Sequence, residues 1–318
     1  MRGKYSFWTR LLFCLVAGLA ISSYFIPIGD KVGDWVPLLG GYADLSAFGE
    51  NMVLRGILGG MFNVLIAVSL LAINTKSVNN VFNPNFSLAF LLLVILLNPS
   101  AVYLSSIHIA VLFFIWGQFC FISNQKFTSM FLLSCSVLFY APLLWVLPLV
   151  LVISVFGASD IPRVALKSLG GILLPLFYLL CFRYLAFGDA VVFIGEYLSH
   201  AMEFSSPLYD ASFASIFLVL CIVAITFHSI SYMFGRLDRN SIVSDHILKM
   251  ELMSVILGGV VFFLFWGNAN VPVNMIVSLP VALLYSHYFT GNITAAPARV
   301  ELILLCCAAV ISRLYYFI

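Results

Sequence analysis

Long apolar runs alternate along the chain with short polar gaps, and nearly all of the charged side chains fall in those gaps. A bilayer core about 30 Å thick needs roughly 20 apolar residues per helix, so the pattern predicts a bundle of membrane-spanning helices. About eleven spans are expected, over roughly 11–27, 56–74, 86–97, 101–122, two helices within 127–157, 169–187, 212–234, 252–267, 273–289 and 300–318. The third is short, and Asn98-Pro99-Ser100 forces a tight turn after it. The run from 127 to 157 is too long for one crossing. Proline lacks a backbone N–H and disfavours helical geometry in the residue before it, so Phe139-Tyr140-Ala141-Pro142 reads as a bend between two short helices. The first run ends on bulky Tyr24-Phe25-Ile26-Pro27 rather than on small residues, which predicts a retained helix and not a cleaved signal.

Composition agrees. Hydrophobic residues make up 63% of the 318 positions, charged residues 9%, and mean hydropathy is +1.11, which excludes a soluble globular domain. The fold class is therefore all-α, a polytopic bundle forming one integral membrane domain over 1–318. A net charge of +2 without a basic stripe gives nucleic acid nothing to bind. The seven cysteines all fall within apolar runs and form no CxxC pair, so they read as packing residues, and no metal site is predicted.

Lys and Arg favour cytoplasmic loops. With the N-terminus cytoplasmic, Arg2, Lys4, Arg10, Lys76, Lys126, Arg163, Lys167, Arg236, Arg239, Lys249 and Arg299 fall inside, and only Lys31, Arg55, Arg183 and Arg313 outside. The outer face is then the acidic one, because Asp30, Asp34, Asp44, Glu50, Asp189, Glu196, Glu203 and Asp210 lie on it.

Two outer loops exceed minimal length, 28–55 and 188–211, and they hold these acids. A carboxylate fixed at the membrane surface beside a cation can take a proton from an acceptor hydroxyl, or hold a divalent cation that neutralises phosphate. Asp34, Asp44 and Glu50 are the candidates for that role, against the plainer reading of a solvated acidic loop. In the second loop Glu196, His200 and Glu203 recur at helical spacing among Val192, Ile194, Leu198, Ala201 and Met202. That pattern predicts an amphipathic helix lying on the membrane, its polar stripe facing either water or a reaction cleft.

Ionisable residues inside the spans are few: His108, His228 and His287, with Arg183 and Arg313 near enough to outer ends to snorkel. No carboxylate is expected in mid-span, which argues against a proton-driven transporter. His108 is expected either to make a structural hydrogen bond or to contact substrate. The planar guanidiniums of Arg55, Arg183 and Arg313 suit the phosphate of a lipid carrier, and equally the anchoring of lipid headgroups.

Asn83-Pro-Asn-Phe-Ser-Leu-Ala-Phe-Leu-Leu, Leu132-Leu-Ser-Cys-Ser-Val-Leu-Phe-Tyr-Ala-Pro142-Leu-Leu and Pro162-Arg-Val-Ala-Leu-Lys-Ser-Leu-Gly-Gly-Ile-Leu-Leu-Pro175 carry a resemblance. On these residues, about a third of the chain resembles a family of multi-pass inner-membrane proteins of Gram-negative bacteria that has no known activity. In architecture the chain is also similar to multi-pass glycosyltransferases of the GT-C type, which use polyprenyl-phosphate sugars. They share a cytoplasmic N-terminus, a long first outer loop, short helices, and a surface helix between the seventh and eighth spans. This chain departs from them in a shorter first loop without an adjacent acidic pair and in lacking a soluble C-terminal domain.

That resemblance implies a membrane-embedded transferase acting on a lipid-phosphate-linked sugar at the outer face of the bacterial inner membrane. Its base would be Asp44, Glu50 or Asp34, and Arg55, Arg183, His200, Glu196 and His108 would line the substrate. A lipid flippase or small-molecule transporter is the first rival. A non-catalytic subunit with a membrane-protein partner is the second, for which Gly56, Gly59, Gly60, Gly258 and Gly259 would form the apposed face.

Overall fold

The computed structural model describes residues 2–26, 52–76, 83–156, 160–202, 212–236, 255–260, 262, 273–315 and 317. All regular structure among them is helical. In chain order the helices are α1 (Arg2–Phe25), α2 (Met52–Lys76), α3 (Pro84–Leu96), α4 (Ser106–Ile122), α5 (Lys126–Phe139) and α6 (Val146–Phe156). Then follow α7 (Ile161–Phe187), α8 (Ala190–Met202), α9 (Phe213–Arg236), α10 (Asn274–Asn292) and α11 (Ala296–Tyr315). Short 3-10 turns at Pro99–Val102 and Ala141–Trp145 join α3 to α4 and α5 to α6.

Among the described residues, four helices are long and apolar enough to cross a membrane, over Phe7–Phe25, Val53–Ala72, Ile161–Phe187 and Phe213–Gly235. That is fewer than the pattern of apolar runs suggests, and for α3 the reason is length. At 1.5 Å per residue the 13 residues of α3 extend only about 20 Å, short of the roughly 30 Å needed. Such helices are stable in a bilayer only where other protein covers their ends. The structure provides that cover: α3 and α10 pack along each other at the centre and are buried nearly all round. Phe90 stacks on Phe86 and Phe289 at 6.0 and 5.3 Å and meets the edge of Tyr285 at 5.5 Å. The long helices turn apolar side chains outward instead, among them Val64 and Val68 on α2, Leu173 and Phe177 on α7, and Leu220 and Phe227 on α9.

The bend expected before Pro142 is present. Helix α5 stops at Phe139, Tyr140 is extended (φ −146°, ψ 99°), and the 3-10 turn starts at Ala141. Pro280, by contrast, lies inside α10, which runs through it unbroken. The expected span over 252–267 falls mostly outside the described residues, of which 255–260 are helical.

Candidate functional site

At the carboxyl end of α3 the chain leaves helical geometry inside the bundle, and polar side chains from four other helices converge on it. Asn98 caps the 3-10 turn, its Oδ1 accepting from the Ser100 N–H at 2.9 Å and the Ser100 hydroxyl at 2.8 Å. The Ala101 carbonyl accepts from Asn63 Nδ2 at 2.9 Å and meets His108 Nε2 at 3.0 Å. The Ser105 N–H donates to His108 Nδ1 at 3.2 Å, so Nδ1 is an acceptor and Nε2 carries the hydrogen that reaches Ala101. His108 is fully buried, and both ring nitrogens are committed to its own chain. Of the two roles open to it from sequence, the structural bond is the one its surroundings fill.

Arg55 holds the far side of this connector. Its carbonyl accepts from the Leu104 N–H at 3.0 Å, and its Nη2 reaches the Leu104 carbonyl at 3.4 Å. Among the described residues its buried Nε has no hydrogen-bond partner. Helix α2 reaches the connector at Gly59, where an added Cβ would lie 2.1 Å from the Val102 carbonyl oxygen, so only glycine fits. On the near side, Asn274 Nδ2 donates to the Val94 carbonyl, and to that of Ile95 at 3.1 Å. Arg313 donates to the carbonyl of Leu96. The last carbonyls of a helix carry partial negative charge, so a guanidinium there is favourable. The sequence predicts an Arg313 that snorkels outward; it turns inward and is 4% exposed, because these carbonyls are the nearer acceptors.

The other candidates sit at the corner between α7 and α8. Gly188, at φ +72°, ends α7 in the left-handed conformation. Arg183 pairs with Asp189 and lies over the rings of Phe187 and Phe193, at 4.8 and 4.6 Å from their centroids. Helix α8 forms where amphipathicity predicts it. It docks through Phe193 and Tyr197, whose hydroxyl reaches the Val137 carbonyl at 3.4 Å, while Glu196, Val191, Val192 and Leu198 are exposed. The backbone of His200 belongs to this helix, and its side chain lies outside the described residues.

The structure therefore brings Arg55 and His108 together at the connector and holds Arg183 and Glu196 at the α7–α8 corner. Asp34, Asp44, Glu50 and Glu203 lie outside the described residues. Asn63 and Asn274 are not singled out by the sequence pattern, although an asparagine in an apolar helix is a signal that some backbone group needs a partner. Gly59 is singled out by it, but for a face toward another protein. It serves the connector instead, and Gly56 and Gly258 likewise meet Tyr24 and Val277 of this chain. No protein-family model matches the chain, and neither a curated protein nor a solved structure matches it.

Proposed function

We propose that this chain is a multi-pass protein of the bacterial inner membrane that holds a lipid-linked phosphate at its outer face and transfers the attached sugar, or a similar group, to an acceptor. The observation that carries this reading is Arg55. Its backbone and one guanidinium nitrogen are fixed on the connector, its Nε has no partner among the described residues, and the connector end is the one the bias of Lys and Arg assigns to the outside. The first outer loop, with Asp34, Asp44 and Glu50, enters α2 immediately before Arg55, which supplies candidate bases close in sequence to the phosphate anchor. Arg183 is already engaged by Asp189 and two aromatic rings, so it contributes less to this reading than Arg55.

Native mass spectrometry of the detergent-purified protein with added polyprenyl phosphate tests the proposal. The wild type and Arg183→Ala should retain the lipid and Arg55→Ala should lose it. Retention of bulk phospholipid alone, unchanged by Arg55→Ala, would overturn it.

A second reading, a transporter or flippase, is favoured by one observation at the opposite end of the bundle. Glu301, a carboxylate inside α11, is 17% exposed and bonded to side chains of two neighbouring helices. A transporter needs ionisable groups in both halves of the bilayer, whereas an outer-face transferase does not.

A further inference from the structure

At the end of the bundle away from the connector, three helices meet through a chain of titratable side chains. Glu301 of α11 accepts at both carboxylate oxygens, with His228 Nδ1 of α9 at 2.6 Å from Oε1 and the Tyr288 hydroxyl of α10 at 2.7 Å from Oε2. Tyr232, one turn beyond His228 on α9, lies edge-on to Tyr288 with centroids 5.6 Å apart. Its hydroxyl occupies the space over Gly291, where any Cβ would sit 1.9 Å from the phenol oxygen. Polar aromatic groups therefore lead from the carboxyl end of α10 to the carboxylate.

The geometry points to a proton-binding site, formed by His228 and Glu301 with Tyr288 holding the carboxylate, and filled from the cytoplasmic side. A neutral imidazole that donates from Nδ1 to a carboxylate keeps its lone pair on Nε2. The His228 side chain is 58% exposed on the surface of the bundle and lies two turns before the end of α9 at Arg236, the end that the bias of Lys and Arg assigns to the cytoplasm. When a proton from water bonds to Nε2, the net charge of the pair goes from minus one to zero, and the resulting imidazolium and carboxylate stabilise each other. A purely mechanical tie between helices would need no ionisable group, and an ionised carboxylate inside an apolar helix costs several kcal/mol. What the trio gains in return is a unit that can change its charge.

The titratable groups around the site are Tyr232 of α9, in ring contact with Tyr288 and His287, and His287 and Tyr285 of α10. Helix α1 also packs against α11, and its Arg10, like Arg299 of α11, is exposed. Helix α3, packed on α10, brings no titratable side chain. The site does not depend on the lipid-phosphate reading and lies in the other half of the molecule.

Infrared difference spectroscopy on the protein in lipid nanodiscs tests it, comparing samples at about pH 5 and about pH 8. The wild type should show an imidazole band and a carboxylate band that change together. Both should vanish in His228→Gln, and the carboxylate band in Glu301→Gln. Tyr288→Phe, which leaves the dyad intact, should keep the coupled change while shifting the carboxylate band. A Glu301 band that moves in Tyr288→Phe but does not respond to acid would overturn the proposal, as would a coupled pair of bands that persists in His228→Gln.

Discussion

The two ends of this bundle use their polar side chains differently. At the connector, Asn63, Asn274, His108, Arg55 and Arg313 all bond to backbone carbonyls of residues 94–104. At the far end, His228, Glu301 and Tyr288 bond to one another. Backbone carbonyls do not titrate, and His108 is fully buried with both ring nitrogens bonded, so the first arrangement is built to hold one conformation. A chain of side chains can gain or lose a proton, so the second can exist in two states. The difference separates a scaffold from a candidate switch, although both are polar clusters in an apolar protein.

The sharpest way to break this comparison is at Gly59. Gly59→Ala places a Cβ on the Val102 carbonyl, and backbone cannot rotate aside as a flexible side chain does. The expected cost is about 3 kcal/mol or more, read as loss of a monodisperse species in size exclusion. At Gly60 an added methyl would meet nothing within 4 Å, so Gly60→Ala should leave the protein unchanged. Equal behaviour of the two variants would mean that the connector is not held against α2.

Next in size are the side chains that share the Ala101 carbonyl. His108→Leu leaves the Ser105 N–H without its side-chain acceptor and costs about 1–3 kcal/mol. Asn63→Leu should cost somewhat less, because His108 still serves Ala101. The double variant should depart from additivity by about 0.5 kcal/mol or more, since both donors serve one oxygen. Thermal unfolding of all three in detergent gives the cycle, and strict additivity would show that the two bonds are independent.

How much of this is legible in the sequence differs between backbone breaks and side-chain faces. Asn98-Pro99-Ser100 and Tyr140-Ala141-Pro142 are readable as breaks because proline acts locally, through its missing N–H and its effect on the residue before it. Arg313 is not readable, because its acceptor Leu96 lies 217 positions away and a long side chain can turn either outward or inward. The α8 helix shows both cases at once. Its existence follows from spacing, but its docking face, Phe193 and Tyr197, does not, because lipid and protein both accept apolar side chains and hydropathy does not distinguish them. Nor does an apolar run say whether its neighbours are lipids or other helices, so hydropathy alone does not fix the number of spans.

The α7–α8 corner is intermediate between the two ends, since Arg183 and Asp189 pair side chain to side chain but are also held by packing on Phe187 and Phe193. Arg183→Lys keeps the charge and loses the planar stacking on Phe187 and Phe193, which should cost about 0.5–1 kcal/mol. Arg183→Met also strips Asp189 of its partner, and about 1 kcal/mol more should follow, limited by the partial exposure of the pair. If the two variants were equally stable, the aromatic rings rather than the carboxylate would be what holds the arginine.

The smallest effect is expected for Tyr197→Phe. The Tyr197 hydroxyl bond to Val137 is long, at 3.4 Å, and the ring does most of the docking. Tyr197→Phe should therefore cost about 0.5 kcal/mol, at the low end for a hydrogen bond, and Tyr197→Ala about 3 kcal/mol or more, through lost packing. Cysteine labelling at the exposed Leu198 reads the consequence directly. With α8 docked, accessibility should match the wild-type background in Tyr197→Phe and change only in Tyr197→Ala. A change already present in Tyr197→Phe would mean that a polar bond, and not an apolar ring, seats this helix, and the α7–α8 corner would then belong with the connector as a region fixed through backbone carbonyls.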